Sequence, residues 1–219
     1  MIRCILKYLG VGMLIFALAV IPYAGIAYFD ALAEASQLQG RANALIADGK
    51  GAEDLGDGRR QILLAVEDPG FEGHSGIDLA SPGAGATTIT QSLAKRLAFE
   101  EFTPGIGKIR QTAYAYGLER ELTKDQILAL WLDTLEMGQG PQGWMTGFHN
   151  ASEAIFARAP KDLTQEEFLT LVAVLIAPAS FDLRKSDPAL QGRVARIEKL
   201  IAGACQPDGN GDVWLEACR

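Results

Sequence analysis

The stretch "EDPGFEGHSGID", residues 67–78, sets Glu67, Asp68, Phe71, His74 and Asp78 around Pro69 and three glycines. Just before it, "RRQILLAVE" (59–67) puts Ile62, Leu63 and Val66 on one helical face, and Pro69-Gly70 forbids the helix to continue. Glu67 is therefore expected in the last turn of a helix, at the lip of a loop. Taken one at a time these residues read plainly. Asp68, His74 and Asp78 are of the type that holds a turn by local hydrogen bonds, Phe71 is of the type that enters a core, and a lone glutamate is usually a surface acid. Only their joint spacing raises the question of a catalytic loop whose general base is Glu67.

Working outward, the pattern stays helical. "TTITQSLAKRLAF" carries Lys95 on a helix that Thr88 or Thr90 is suited to cap. After the break at Pro104-Gly105 comes "GKIRQTAYAYGLERE", with Lys108 and Gln111. Thr123 with Gln126, and Thr164 with Glu167, spell capping boxes in front of "KDQILALWLDTLEMG" and "QEEFLTLVAVLIAP". The second of these is apolar on nearly every face yet too short to cross a bilayer before Pro178, so it is expected at the buried centre of the domain. An amphipathic helix is expected through "QGRVARIEKLIAG". No strand pattern, repeat or low-complexity segment stands out.

Residues 8–29 carry no charged side chain, and a helix over them spans about 33 Å, enough for the hydrocarbon core. Arg3 and Lys7 precede this run and Asp30 and Glu34 follow it, which places the N-terminus in the cytoplasm and the remainder across the membrane. A cleaved signal peptide is the alternative, with Ala31 and Ala33 as a small-x-small site, but the run exceeds the roughly 7–15 residues of a signal core. The formal charge of -7 and a pI near 4.9, with no visible basic cluster, argue against nucleic acid as a partner. Cys4 lies at the cytoplasmic end of the anchor, whereas Cys205 and Cys218 bracket "CQPDGNGDVWLEAC" and are expected to pair in an oxidising compartment. Asp208, Asn210 and Asp212 alternate as in a calcium loop, but Val213 and Arg219 stand where such a loop needs Gly and Glu. A turn is expected there and no metal site.

The order of these motifs resembles the peptidoglycan glycosyltransferases, glycosyltransferase family 51, which includes monofunctional biosynthetic transglycosylases and modules of class A penicillin-binding proteins. The family's Glu-Asp-x-x-Phe-x-x-His-x-Gly-x-Asp is met at Glu67, Asp68, Phe71, His74, Gly76 and Asp78. Its second motif is met at Gly85, Thr88, Ile89, Thr90, Gln91, Leu93 and Lys95, with departures at Ala86, Thr87, Ser92 and Arg96. Further similarity runs through "LERELTKDQILALWLDTLEMG", through Gly147, Ala151, Ser152 and Phe156, and through "APASFDLRKSDP". The resemblance implies a mainly α, lysozyme-like domain behind one transmembrane helix. The layout is a cytoplasmic tail 1–7, an anchor 8–29, a helix and linker 30–57, the glycosyltransferase-like domain 58–200 and a tail 201–219. With 19 residues after that domain, no transpeptidase module is expected in this sequence.

By the same resemblance, lipid II is polymerised into glycan strands by inverting transfer from a lipid pyrophosphate, outside the inner membrane. Glu67 takes the proton of the acceptor hydroxyl. Lys95, Lys108, Thr88, Thr90, Gln91 and Gln111 hold the donor's pyrophosphate and sugar, and Asp68, Phe71, His74 and Asp78 shape the loop. A divalent cation, Mg or Mn, accompanying the pyrophosphate is the one cofactor implied. Lipid II, the nascent strand, the membrane and other cell-wall synthesis proteins are the partners implied. Departures temper this: Gln111 stands where the family has a second glutamate, Thr103 and Gly107 where it has arginines, and only "LASPGA" separates Asp78 from Gly85. Two other classes stay open, a non-catalytic lipid II-binding scaffold and a lytic lysozyme-like enzyme.

Overall fold

The computed structural model describes residues 2–219, with side chains from Leu18 onward. Its first element, α1 (Ile2–Ala47), does not stop at residue 29 but runs on through the Ala-rich segment as one helix, with Pro22 inside it. Residues 8–17 of the expected span, and the charges and Cys4 before them, lie outside the described side chains. Leu18–Ala47 is long and apolar enough to cross a membrane by length and composition. The later turns of α1 do something else. Ala27, Ala31, Ala35, Leu38 and Ala42 form a buried stripe along one face, set against α4 (Ile106–Glu121) and α5 (Lys124–Thr134). The approach to α4 is close: a Cβ on Gly117 would sit 2.7 Å from the Ala31 Cβ and 2.9 Å from the Tyr28 carbonyl oxygen.

Two helices form the centre. In α5, Ile127 to Leu132 are all buried, and in α7 (Gln165–Val174) Phe168, Leu169 and Leu171 to Val174 are buried, the fate expected of a helix apolar all round. Capping boxes at Thr123 and Thr164 start both. Around them pack α2 (Arg59–Glu67), α3 (Ile89–Ala98), α6 (Phe148–Phe156) and α8 (Pro188–Ile201). On α2 the buried face is Leu63, Leu64 and Val66, while Ile62 is only partly covered.

One element runs against expectation. β1 (Glu136–Gly140) and β2 (Gly143–Thr146) pair antiparallel, with Gln139 opposite Trp144 and Gly140 opposite Gly143. Their glycine-rich sequence has almost no intrinsic strand preference. The hairpin exists because Met137 and Met145 are buried against the core and Gly138, at φ +81°, lets the chain pass against Pro178.

At the C-terminus Cys205 and Cys218 are joined by a disulfide. The Asp212 carboxylate accepts the main-chain N–H groups of Asp208, Glu216 and Ala217, so it is spent on shaping the turn.

Candidate active site

Glu67 is the last residue of α2. Asp68, which follows it, is fully buried and takes three hydrogen bonds: the Ile89 N–H at 2.9 Å and both contacts of His74 Nε2 at 3.0 Å. His74 Nδ1 accepts the Gly76 N–H at 3.0 Å, which leaves the proton on Nε2 facing Asp68. Phe71 is buried, and Asp78 accepts the N–H groups of Ala80 and Ser81. The loop is thus pinned by its own polar side chains, and Glu67 is held at its edge.

Glu67 stands in the wall of a pocket of about 220 Å³, lined also by Gly83 to Thr87, Ile176, Arg193 and Val213. Burial pushes its carboxyl up to about 7, with Asp68 adding to the rise and Arg193 and Arg96 opposing it. A base at that value is half ionised near neutral pH, where proton acceptance is most effective. Ala86 and Thr87 are shared with a larger cleft of about 880 Å³, whose walls include Ser92, Lys95, Arg96, Lys108 and Gln111.

This cleft is cationic. Lys95 lies 4.9 Å from the Phe102 ring centroid. Lys108 Nζ donates to Thr87 Oγ1 at 2.8 Å and to Gln91 Oε1 at 3.3 Å, and burial, then the charge of Lys95, lowers its pKa. Arg96 donates to Thr134 and Ser92, leaving Nη2 without a partner, and its burial lowers its pKa to about 10. Among the described residues none of Lys95, Arg96, Lys108 and Arg193 has a carboxylate within salt-bridge distance. In a chain of net charge -7 that concentration of unneutralised cations fits a multiply charged anion.

Three of the residues expected at the donor's pyrophosphate and sugar sit beneath the cleft wall. Thr88 is the N-cap of α3: its hydroxyl accepts the Gln91 N–H at 3.1 Å and donates to the Gly76 carbonyl at 2.8 Å. Gln91 completes the box through Oε1 and donates to Thr112. Thr90 donates to Glu119. All three are buried and face inward, because the helix start and the packing of α3 on α4 consume their polar atoms. They hold α3 in place and do not line the cleft. Gln111 does line it, buried, with Nε2 donating to the Gln91 carbonyl and Oε1 unpartnered. Conversely, all four departures from the second motif, Ala86, Thr87, Ser92 and Arg96, line the cleft.

Arg193 is the residue that motif matching missed. It is 1% exposed, with Nε and Nη1 unpartnered, and it shares the Glu67 pocket. A signal existed: Leu190, Arg193, Val194 and Ile197 fall on one face of α8, so an arginine occupies a core-facing position.

The donor set does not fit a resident divalent cation. Of the three carboxylates on the cleft, Asp133 pairs with Arg41, Glu136 accepts the Trp144 indole N–H and Glu100 stands apart from both; among the described residues no three acids, histidines or cysteines gather into a metal-holding group, and Gln111 offers only a neutral amide.

A mainly helical, lysozyme-like domain that sets a buried carboxylate beside a cleft lined by cations defines the class. The transglycosylase family model matches residues 39–202, and the chain belongs to that family. It is 33% identical over 135 residues to penicillin-binding protein 1F of Bacillus subtilis, covering 56% of this chain and 18% of that protein. Against penicillin-binding protein 1A of Clostridium perfringens identity is 30% over 148 residues, 60% of this chain and 21% of the relative. Against penicillin-binding protein 1B of Buchnera aphidicola it is 34% over 128 residues, 52% and 17%. The chain thus spans about a fifth of the length of these relatives.

Proposed function

We propose that the protein is a peptidoglycan glycosyltransferase that polymerises lipid II into glycan strands. One observation carries this: a carboxylate raised to about 7 lies in a pocket that shares the wall residues Ala86 and Thr87 with a cleft of unneutralised cations. Glu67 takes the proton of the acceptor's hydroxyl as its oxygen attacks the anomeric carbon of the donor. The bond from that carbon to the pyrophosphate oxygen breaks with inversion, and its electron pair leaves on the pyrophosphate. Lys95, Lys108 and Arg96 stabilise the charge that develops there. These protein cations carry the electrostatic task, with no step through a metal ion. Gln111 contributes a neutral amide to the cleft.

Helix α1 supports a single-pass anchoring in the inner membrane, with the N-terminus cytoplasmic and the domain on the far side, within reach of lipid II. Association with other cell-wall synthesis proteins belongs to the same proposal. The test is polymerisation of labelled lipid II by the detergent-solubilised full-length protein beside Glu67→Gln. Glycan chains from the wild type alone support the mechanism. Equal synthesis by both removes Glu67 as base, and binding of lipid II without product selects the scaffold class.

A further inference from the structure

The segment that separates the Glu67 loop from α3 is short, and what holds it comes from the far end of the chain. Gly83 and Gly85, at φ +79° and +70°, donate their N–H groups to the carbonyls of Gly209 and Asn210 at 2.9 and 2.8 Å. Asn210 Nδ2 donates to the Ser81 carbonyl at 3.1 Å. The fit leaves no spare room: a Cβ on Gly83 would lie 2.9 Å from Pro207 Cγ, and one on Gly85 2.6 Å from Val213 Cγ1. The tail making these contacts is closed by Cys205–Cys218, turned around the Asp212 carboxylate and fastened to α8 through Arg196, which donates to the Trp214 carbonyl and to Glu216.

Its position matters because of what the clasped segment does. Gly83 to Thr87 and Val213 are walls of the Glu67 pocket, and Thr87 accepts from Lys108 on the cleft side. The partition between base and cations is therefore built from a linker outside any helix or strand, and the tail supplies the bonds of its Gly83 and Gly85 main-chain N–H groups.

We propose that the disulfide-closed tail is a positioning element of the reaction site: by clasping Gly83 and Gly85 it holds the wall that keeps Glu67 enclosed and Thr87 set against Lys108. The catalytic half of this statement rests on the function proposed above; the clasp does not.

The experiment measures amide hydrogen exchange at Gly83 and Gly85 in the full-length protein, with α7 amides of the same sample as internal reference. Cys205→Ser/Cys218→Ser removes the closure. Gly85→Ala, with the disulfide intact, pushes Val213 away. Both variants are expected to raise exchange at Gly83 by about tenfold or more while α7 stays protected, as for a local opening. In both, glycan synthesis is expected to fall and its acid limb to move to lower pH. The groups that face Glu67 are Asp68 beside it, Arg96 from α3 and Arg193 from α8; they stay in place while water entering the pocket relieves the burial. Unchanged exchange at Gly83 in both variants overturns the clasp. Raised exchange with an unmoved rate and acid limb overturns the positioning role. A wild type that forms no glycan chains instead removes the proposed function and leaves exchange to decide the clasp.

Discussion

Asp68 accepts the Ile89 main-chain N–H at 2.9 Å, so the residue next to the base is tied to the first turn of the helix that carries Lys95 and Arg96. Base and cations are set relative to each other by one buried carboxylate, which His74 also contacts. Asp68→Ala leaves an N–H and an imidazole without an acceptor in the interior. A loss of about 2–4 kcal/mol is expected, read as a lower midpoint in thermal or urea unfolding. Asp68→Asn keeps one acceptor and is expected to cost less.

Glu67 links activity and stability in opposite senses. The ionised base is required, so the acid limb of kcat/KM should have its midpoint near 7, the value to which burial raises this carboxyl. A carboxyl whose folded pKa lies above its unfolded one contributes stability fully present below the unfolded value and lost as pH rises through the folded one. Glu67→Gln should therefore lower the rate by about 10²- to 10⁴-fold and, at pH 8, raise the melting temperature. A variant that is both inactive and less stable at pH 8 contradicts the buried-base account.

Arg193 holds the Glu67 carboxyl down against its burial. Arg193→Met keeps the length of the side chain without its charge, so the acid limb should move to higher pH. Replacing an unpaired buried guanidinium with an apolar side chain should leave folding stability unchanged or improved. A pH–rate profile and a melting curve of the same sample check both halves.

Lys95→Met and Lys108→Met each remove a cation from the site of the departing pyrophosphate. A drop of about 10²- to 10³-fold in kcat is expected for each. Because Asp133 and Glu136 are engaged elsewhere and no three acids gather into a metal-holding group among the described residues, a chelator should change the wild-type rate by less than about twofold. A strict requirement for Mg or Mn would show that a metal shares the task of the lysines.

Gly117→Leu tests the seat of α1 on the domain. Its side chain would enter space held by the Ala31 Cβ and the Tyr28 carbonyl. Overpacking of this kind costs about 1–3 kcal/mol, visible in thermal unfolding.

Much of this was legible along the chain. Pro69-Gly70 ends α2 at Glu67 through purely local sterics, and the capping boxes at Thr123 and Thr164 start α5 and α7 through bonds across three residues. That Thr88 and Gln91 turn inward was not legible, because a motif shows which residues occur together and not which way they face. The same box that starts α3 takes up their polar atoms.

The sequence by itself determined the helices, the loop that ends in a base and the family, because caps, breaks and apolar periodicity act over a few residues. Only the tertiary structure decided that Arg193 on α8 joins Glu67, that "EMGQGPQGWMT" becomes a hairpin, and that Gly209 and Asn210 hold the wall of the pocket to which Val213 adds its side chain. These depend on contacts between segments far apart in the chain. There the energy comes from shared burial and from main-chain groups that carry no residue identity.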